Sequence, residues 1–262
     1  MKRHAILTNG RSGSNYLQSL LNQHPQVVNY GEVLGDWTIP YKLHKQFGLG
    51  GTSDEYYLDY IYSSKVFYYL AQVYSGYSKI IKKEKINFKN INQIATIGIK
   101  DFSVNFVNRN IENYLRERED ILVINLFRLN SLKRLISLQS MKQSGVVLLR
   151  SNNVKVKSKL NLPTNNLLQL LEIFEEEKKQ QFSLVSQVDQ KRILNIAYED
   201  YFSSAASQEN YNHKIFEFLE VAEINVKGNR IRILPDKISD KLENYEEVAQ
   251  TLSGTEYETY LT

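Results

Sequence analysis

The 262-residue chain has no cysteine, which excludes disulfides, thiolate metal sites and a cysteine nucleophile. Its four histidines are scattered without ligand spacing, so no metal is expected. No segment approaches the roughly 18 uninterrupted apolar residues that a membrane span requires. The opening MKRHAILTNGRSGS carries only a short apolar run before its glycines, too short for the core of a secretory signal, so it reads as a strand of a cytoplasmic protein. Internal repeats, linker-like composition and low-complexity tracts are missing too. Nor is charge of one sign concentrated: 33 Lys and Arg against 29 Asp and Glu leave a net +4 spread along the chain. A nucleic-acid binder would gather its cations, so the excess favours a small anionic ligand over a polyanion.

What is present is an ordinary globular composition, 42% apolar and 24% charged, at a length that suits one α/β unit with an added cap. Five runs carry the pattern of buried strands: 3–8, 26–30, 95–100, 121–127 and 192–198. Helix-period segments lie between them, and that alternation predicts a mostly parallel sheet covered on both faces. The first helix is expected to be capped by Ser14, to bury Leu17, Leu20 and Leu21, and to stop at His24, because Pro25 disfavours helical geometry in the residue before it. A longer helix is expected from Thr164, with Glu175 and Lys179 at a favourable spacing on a solvated face.

Residues 36–93 read as a helical insertion or cap. Eight tyrosines fall between 54 and 77; they suit the outer layer of a helical cap or a platform for a ring-bearing ligand. Residues 146–160 read as a hairpin or loop turning at Ser151, Asn152 and Asn153. The C-terminal stretch reads as one or two short helices broken at Gly254.

The segment TNGRSGSN (8–15) joins the first strand to the first helix. Unpaired N–H groups and the positive end of the helix dipole make a glycine-containing turn at such a junction a seat for phosphate. Gly10 and Gly13 allow close approach and Arg11 adds charge. A nucleoside triphosphatase would need G-x-x-x-x-G-K-[ST], which is not present. A second seat is suggested where the strand 121–127 ends in Arg128: a cation stands where a P-loop enzyme keeps a magnesium-holding carboxylate. In the helix after it, capped by Asn130, the positions Asn130, Arg134 and Ser137 share a face while Leu132, Leu135 and Ile136 face the core.

The segment RSGSNYLQSLLNQHPQVVNYGE resembles the 5′-phosphosulfate-binding segment of sulfotransferases, in particular the carbohydrate and lipopolysaccharide group. LFRLNSLKRLIS resembles that group's 3′-phosphate segment, and AYED (197–200) and LENYEEVAQTLSGTEY (242–257) resemble two later stretches, in the same order. Residues 36–93 are the least recognisable, and the resemblance implies that this insertion forms the acceptor side. The resemblance implies a P-loop-like α/β fold in one domain that uses 3′-phosphoadenosine-5′-phosphosulfate as donor. It implies that Arg11, Ser12, Gly13, Ser14 and Asn15 wrap the 5′-phosphosulfate, with Arg11 stabilising the leaving phosphate, and that Arg128 and Ser137 hold the 3′-phosphate. The acceptor would be a hydroxyl or amine of a small molecule, carbohydrate or lipid.

Transfer to an alcohol needs a base in line with the donor. Glu32, just after the second strand and at the sheet edge where α/β folds bind ligands, is the candidate, and the resemblance points to the same position. Lys100, at the end of the third strand, either touches the transferred group or the acceptor or is a surface lysine. Its neighbour Asp101 resembles a magnesium-holding carboxylate and keeps open a Mg-ATP phosphotransferase; a non-catalytic nucleotide-binding protein of the same fold is also open. Lys227 and Arg230 either close over the nucleotide or form a solvated turn. Oligomeric state is not legible.

Overall fold

The computed structural model describes residues 1–81, 83, 87–144, 159–224 and 237–262. Among these residues the strands are β1 (Lys2–Thr8), β2 (Val27–Asn29), β3 (Thr96–Phe102), β4 (Ile121–Phe127) and β5 (Ile193–Ala197). They form one parallel sheet in the order β2-β3-β1-β4-β5. The helices are α1 (Ser14–Gln23), α2 (Ile39–Phe47), α3 (Asp54–Ser63), α4 (Lys65–Ile81), α5 (Ser103–Asn108), α6 (Tyr114–Glu117), α7 (Ser131–Ser144), α8 (Leu167–Ser186), α9 (Tyr198–Tyr201), α10 (Ala205–Phe218) and α11 (Tyr245–Leu252). No helix of the described residues is long and apolar enough to cross a membrane.

Successive strand residues serve opposite faces, which is why the central strands read as continuous apolar runs. On one face Ala5, Leu7, Ile99 and Val123 pack with Leu58, Ile61 and Tyr62 of α3 and Leu184 of α8. On the other, Ile6, Ile124 and Leu126 pack with Leu17, Leu20 and Leu21 of α1 and with Ile215 and Phe216 of α10. A third cluster joins Leu132, Leu135 and Ile136 of α7 to Leu171 of α8 and Leu252 of α11. The segment expected as a helical insertion therefore also seals one sheet face: Tyr57, Tyr62 and Tyr68 are buried, and the Tyr62 hydroxyl donates to the His4 carbonyl at 3.0 Å.

Two helix starts differ from expectation. Ser14 is the first residue of α1 and the cap is Gly13, in left-handed conformation with no side-chain cap. The cap of α8 is Asn166, while the Thr164 carbonyl accepts from Leu167 N. Glu175 pairs with Lys178 at 2.7 Å and accepts from Ser131 and Tyr260, so its face is packed against neighbouring elements rather than solvated. His24 is a buried turn residue whose ring holds Gln26 N and the Ala222 carbonyl. The C-terminal stretch forms α11 and a short 3-10 helix, Glu256–Leu261, with Gly254 between them at φ 73°. The hairpin expected at 146–160 lies outside the described residues except for Lys159 and Leu160, and Leu160 bridges to Leu242.

Candidate active site

The loop between β1 and α1 leaves the sheet at its C-terminal edge. Gly10, Arg11 and Gly13 have φ of 61°, 54° and 84°, the left-handed geometry from which successive N–H groups can converge on an anion. Gly13 is required twice over: a Cβ there would lie 2.6 Å from the Phe202 ring, at a φ that L residues rarely adopt. Ser12 and Ser14 are buried, and the Ser12 hydroxyl bonds Thr8 Oγ1, fixing the loop to the end of β1.

Glu32 follows β2 on a second loop that is tied down on both sides. Before it, Asn29 Oδ1 accepts from Gly31 N at 3.0 Å, while Asn29 Nδ2 donates to the Ile99 carbonyl and to His4 Nε2. Lys100 N donates to the Gly31 carbonyl at 3.0 Å. After it, Asp101 Oδ2 accepts from Val33 N and Leu34 N, both at 2.8 Å, and Asp101 Oδ1 accepts from Phe102 N and Asn105 Nδ2. Burial pushes the Asp101 carboxyl up even against these four donors. Asp101 therefore has one oxygen committed to the Glu32 loop and the other to the start of α5, which is not the arrangement of a carboxylate held open for magnesium.

The Glu32 side chain is itself engaged at both oxygens. Lys100 Nζ donates to Oε1, and Trp37 Nε1 donates to Oε2 at 3.0 Å. Lys100 also donates to Asn15 Oδ1 at 3.0 Å, so the glycine loop, the base candidate and the lysine meet at one point. At 2% exposure Lys100 is not the surface lysine that sequence left possible.

The second segment touches the first. Arg128 Nη1 donates to the Arg11 carbonyl at 3.0 Å, and Arg11 Nε donates to Ser137 Oγ of α7 at 3.1 Å. Arg128 lies 4.4 Å over the Tyr198 ring and 3.7 Å from Glu199. Glu199 also accepts from Leu129 N and Asn130 N, joining AYED to the start of α7. Asn130 caps α7 by accepting from Lys133 N. Of the three residues expected to share a face, Ser137 meets the loop but Arg134 turns to Glu177 and the Phe174 ring on α8. A shallow depression lies here, bordered by Asn9, Gly10, Ser12, Arg128, Arg134 and Lys178. Lys227 and Arg230 lie outside the described residues.

The structure thus brings Glu32, Lys100, Asn15 and residues 11–14 together and joins them to Arg128 and Ser137. Sequence reasoning missed Trp37 and Glu199 as partners, and it left Asp101 open as a magnesium-holding carboxylate without foreseeing its bonds to Val33 and Leu34. The one signal for Trp37 was its rarity: it is the only tryptophan, five residues beyond Glu32.

Compared by sequence, the chain matches no family model and no curated protein. Among solved structures it is similar to a sulfotransferase from Alicyclobacillus acidocaldarius, with TM-score 0.45 and 13% identity over 100% of this chain and 96% of that one. It is also similar to the sulfotransferase domain from the curacin biosynthetic pathway, with TM-score 0.46 and 16% identity over 85% and 75%. A third is the sulfotransferase domain from the Synechococcus PCC 7002 olefin synthase, with TM-score 0.42 and 14% identity over 96% and 87%. At these identities and scores the likeness transfers no chemistry to this chain, whose own residues have to carry it.

Proposed function

We propose that the protein transfers a sulfuryl group from 3′-phosphoadenosine-5′-phosphosulfate to a hydroxyl or amine of a small-molecule, carbohydrate or lipid acceptor. The observation that carries this reading is the meeting of Glu32, Lys100 and Asn15 at the start of α1, behind a glycine loop that is itself bonded to Arg128. The donor carries phosphates at two separated positions, and a loop at a helix N-terminus next to a second cationic segment suits such a molecule.

In this reading residues 11–15 wrap the 5′-phosphosulfate with backbone N–H groups and the Ser12 and Ser14 hydroxyls. Arg128 and Ser137 hold the 3′-phosphate. Arg11 contributes its backbone to the first seat, and its contact with Ser137 supports a guanidinium serving the second as well. Glu32 takes the acceptor proton as the acceptor oxygen bonds sulfur and the bond from sulfur to the 5′-phosphate oxygen breaks, releasing adenosine 3′,5′-bisphosphate. Lys100, buried beside Glu32, offsets the negative charge that gathers between base and donor. The Mg-ATP alternative depends on Asp101, whose oxygens accept four N–H bonds.

Thermal unfolding with adenosine 3′,5′-bisphosphate, 5′-AMP or Mg-ATP tests the donor. Ligand at about 100 times its dissociation constant adds about 2.7 kcal/mol, which at this chain size raises the midpoint by roughly 5–10 °C. The bisphosphate alone should do so; a larger shift with Mg-ATP would replace the reading with a phosphotransferase. Glu32→Gln should then cut sulfuryl transfer by about 10²- to 10⁴-fold without loss of bisphosphate binding. Bisphosphate binding with no transfer by the wild type to any acceptor would leave a non-catalytic nucleotide-binding protein.

A further inference from the structure

The helix α4 packs little of itself against the fold. Val66, Leu70, Val73, Tyr77 and Ile80 form a seam repeating every three or four residues, flanked by Tyr69, Tyr74 and Ile81, and each of these side chains is 54–64% exposed. Together they present on the order of 1,000 Å² of mostly apolar surface, well above the roughly 300–600 Å² largest patch of a typical monomer. The seam positions carry no charge, and Phe88, itself 63% exposed, covers Gly76 of the same helix, where a Cβ would lie 2.8 Å from its ring.

We propose that this face is an interface between two copies of the chain, paired antiparallel along α4 about a two-fold axis. The area matches the ~800 Å² per partner of a standard interface, and the spacing is that of helices that pair side by side. A two-fold interface must be complementary to itself. Val73 lies at the midpoint of Lys65–Ile81, so it meets its own twin, and Val66 on one copy faces Ile80 on the other. A lipid surface fits less well, because helices that lie on membranes carry a polar face rich in Lys and Arg, whereas α4 has Lys65 and Lys79 alone. The pairing is independent of the proposed chemistry.

Sedimentation velocity of the full chain should show a dimer at micromolar concentration. Val73→Glu sets two carboxylates against each other and should raise the dissociation constant by about 10²- to 10³-fold. Because Val73 is exposed, the far-UV spectrum of this variant should match wild type. The cysteine-free sequence allows a register test. Under mild oxidation Val73→Cys should cross-link to its twin, while Val66→Cys should not, since antiparallel pairing holds the two Val66 positions about 21 Å apart. A wild type that stays monomeric to about 50 µM, with or without binding to phosphatidylserine vesicles, would overturn the proposal, because an interface of this size should already have formed. So would a dimer that Val73→Glu leaves intact, or equal cross-linking at both positions.

Discussion

Protonating His4 should unlatch the loop that carries Glu32. His4 is fully buried in β1 and lies against Gly98, where a Cβ would sit 2.1 Å from its Nε2. Its Nε2 accepts from Asn29 Nδ2 at 3.1 Å, so in the neutral ring Nδ1 carries the hydrogen and donates to Thr96 Oγ1 at 2.9 Å. A second ring proton would set N–H against N–H at Asn29, the residue that also accepts from Gly31 N. Burial pulls the His4 pKa from 6.5 down to about 3. Below pH 6.5 the unfolded chain therefore binds a proton that the folded chain refuses, and stability falls as pH falls, until about pH 3. At 1.36 kcal/mol per unit, the loss from this group is about 2 kcal/mol at pH 5, or roughly 4–8 °C in unfolding midpoint. Carboxylates titrate in the same range, so the informative quantity is the difference between wild type and His4→Gln, followed by circular dichroism at pH 7, 6 and 5. The variant should be less stable at pH 7, and the gap should close by about 2 kcal/mol at pH 5. Parallel pH curves for the two proteins would refute a neutral, buried His4.

Three further outcomes are expected. Arg128→Ala should weaken adenosine 3′,5′-bisphosphate about 10- to 100-fold while leaving 5′-AMP within a few-fold, as measured by calorimetry, since a charge-assisted contact contributes about 1.5–3 kcal/mol; equal weakening of both would remove Arg128 from the 3′-phosphate. Asp101→Asn exchanges an acceptor for an NH₂ facing backbone N–H groups and should cost about 1–3 kcal/mol in urea unfolding, with turnover falling further than bisphosphate affinity. Gly13→Ala should lower the unfolding midpoint and abolish bisphosphate binding together, because the added Cβ meets the Phe202 ring under the anion loop.

The sheet was legible because both of its faces are buried. The run at 121–127 matches β4 residue for residue, and the other four strands agree within two residues at either end. The two helix caps were misread because hydroxyls at Ser14 and Thr164 advertise capping, while the actual position of a cap depends on the backbone before it: Gly13 is left-handed, a state with no side-chain signature beyond glycine itself. The anchoring contacts of Asp101 were illegible for a different reason. Its partners Val33 and Leu34 are 67–68 residues away and use main-chain N–H groups, which leave no mark in the sequence. Glu32 and Lys100 were both visible as strand-end residues, but their contact needs β2 and β3 to be neighbours, and that order is a property of the fold. The tyrosines split as packing dictates: Tyr57, Tyr62 and Tyr68 point inward, whereas Tyr69, Tyr74 and Tyr77 remain outside on α4.

The two anchors beside Glu32 bear on how the base proposed here could be both fixed and available. Asn29 and Asp101 hold the backbone on either side, so the carboxylate cannot retreat, yet both of its oxygens already accept from Lys100 and Trp37. In the proposed reaction an acceptor hydroxyl would have to bond one of those oxygens before losing its proton, and one donor would have to yield. Lys100 is buried and held a second time by Asn15. Trp37 is 58% exposed and follows Gly35 and Asp36 on the open side of the loop. In the proposed reaction the indole is therefore the donor expected to give way, and the bond it would surrender, worth about 1.5–3 kcal/mol to a charged acceptor, would be replaced in kind by the incoming hydroxyl. With the indole in place Glu32 is paired at both oxygens, and in the proposed reaction an acceptor in its stead would set the same oxygen against the proton to be removed.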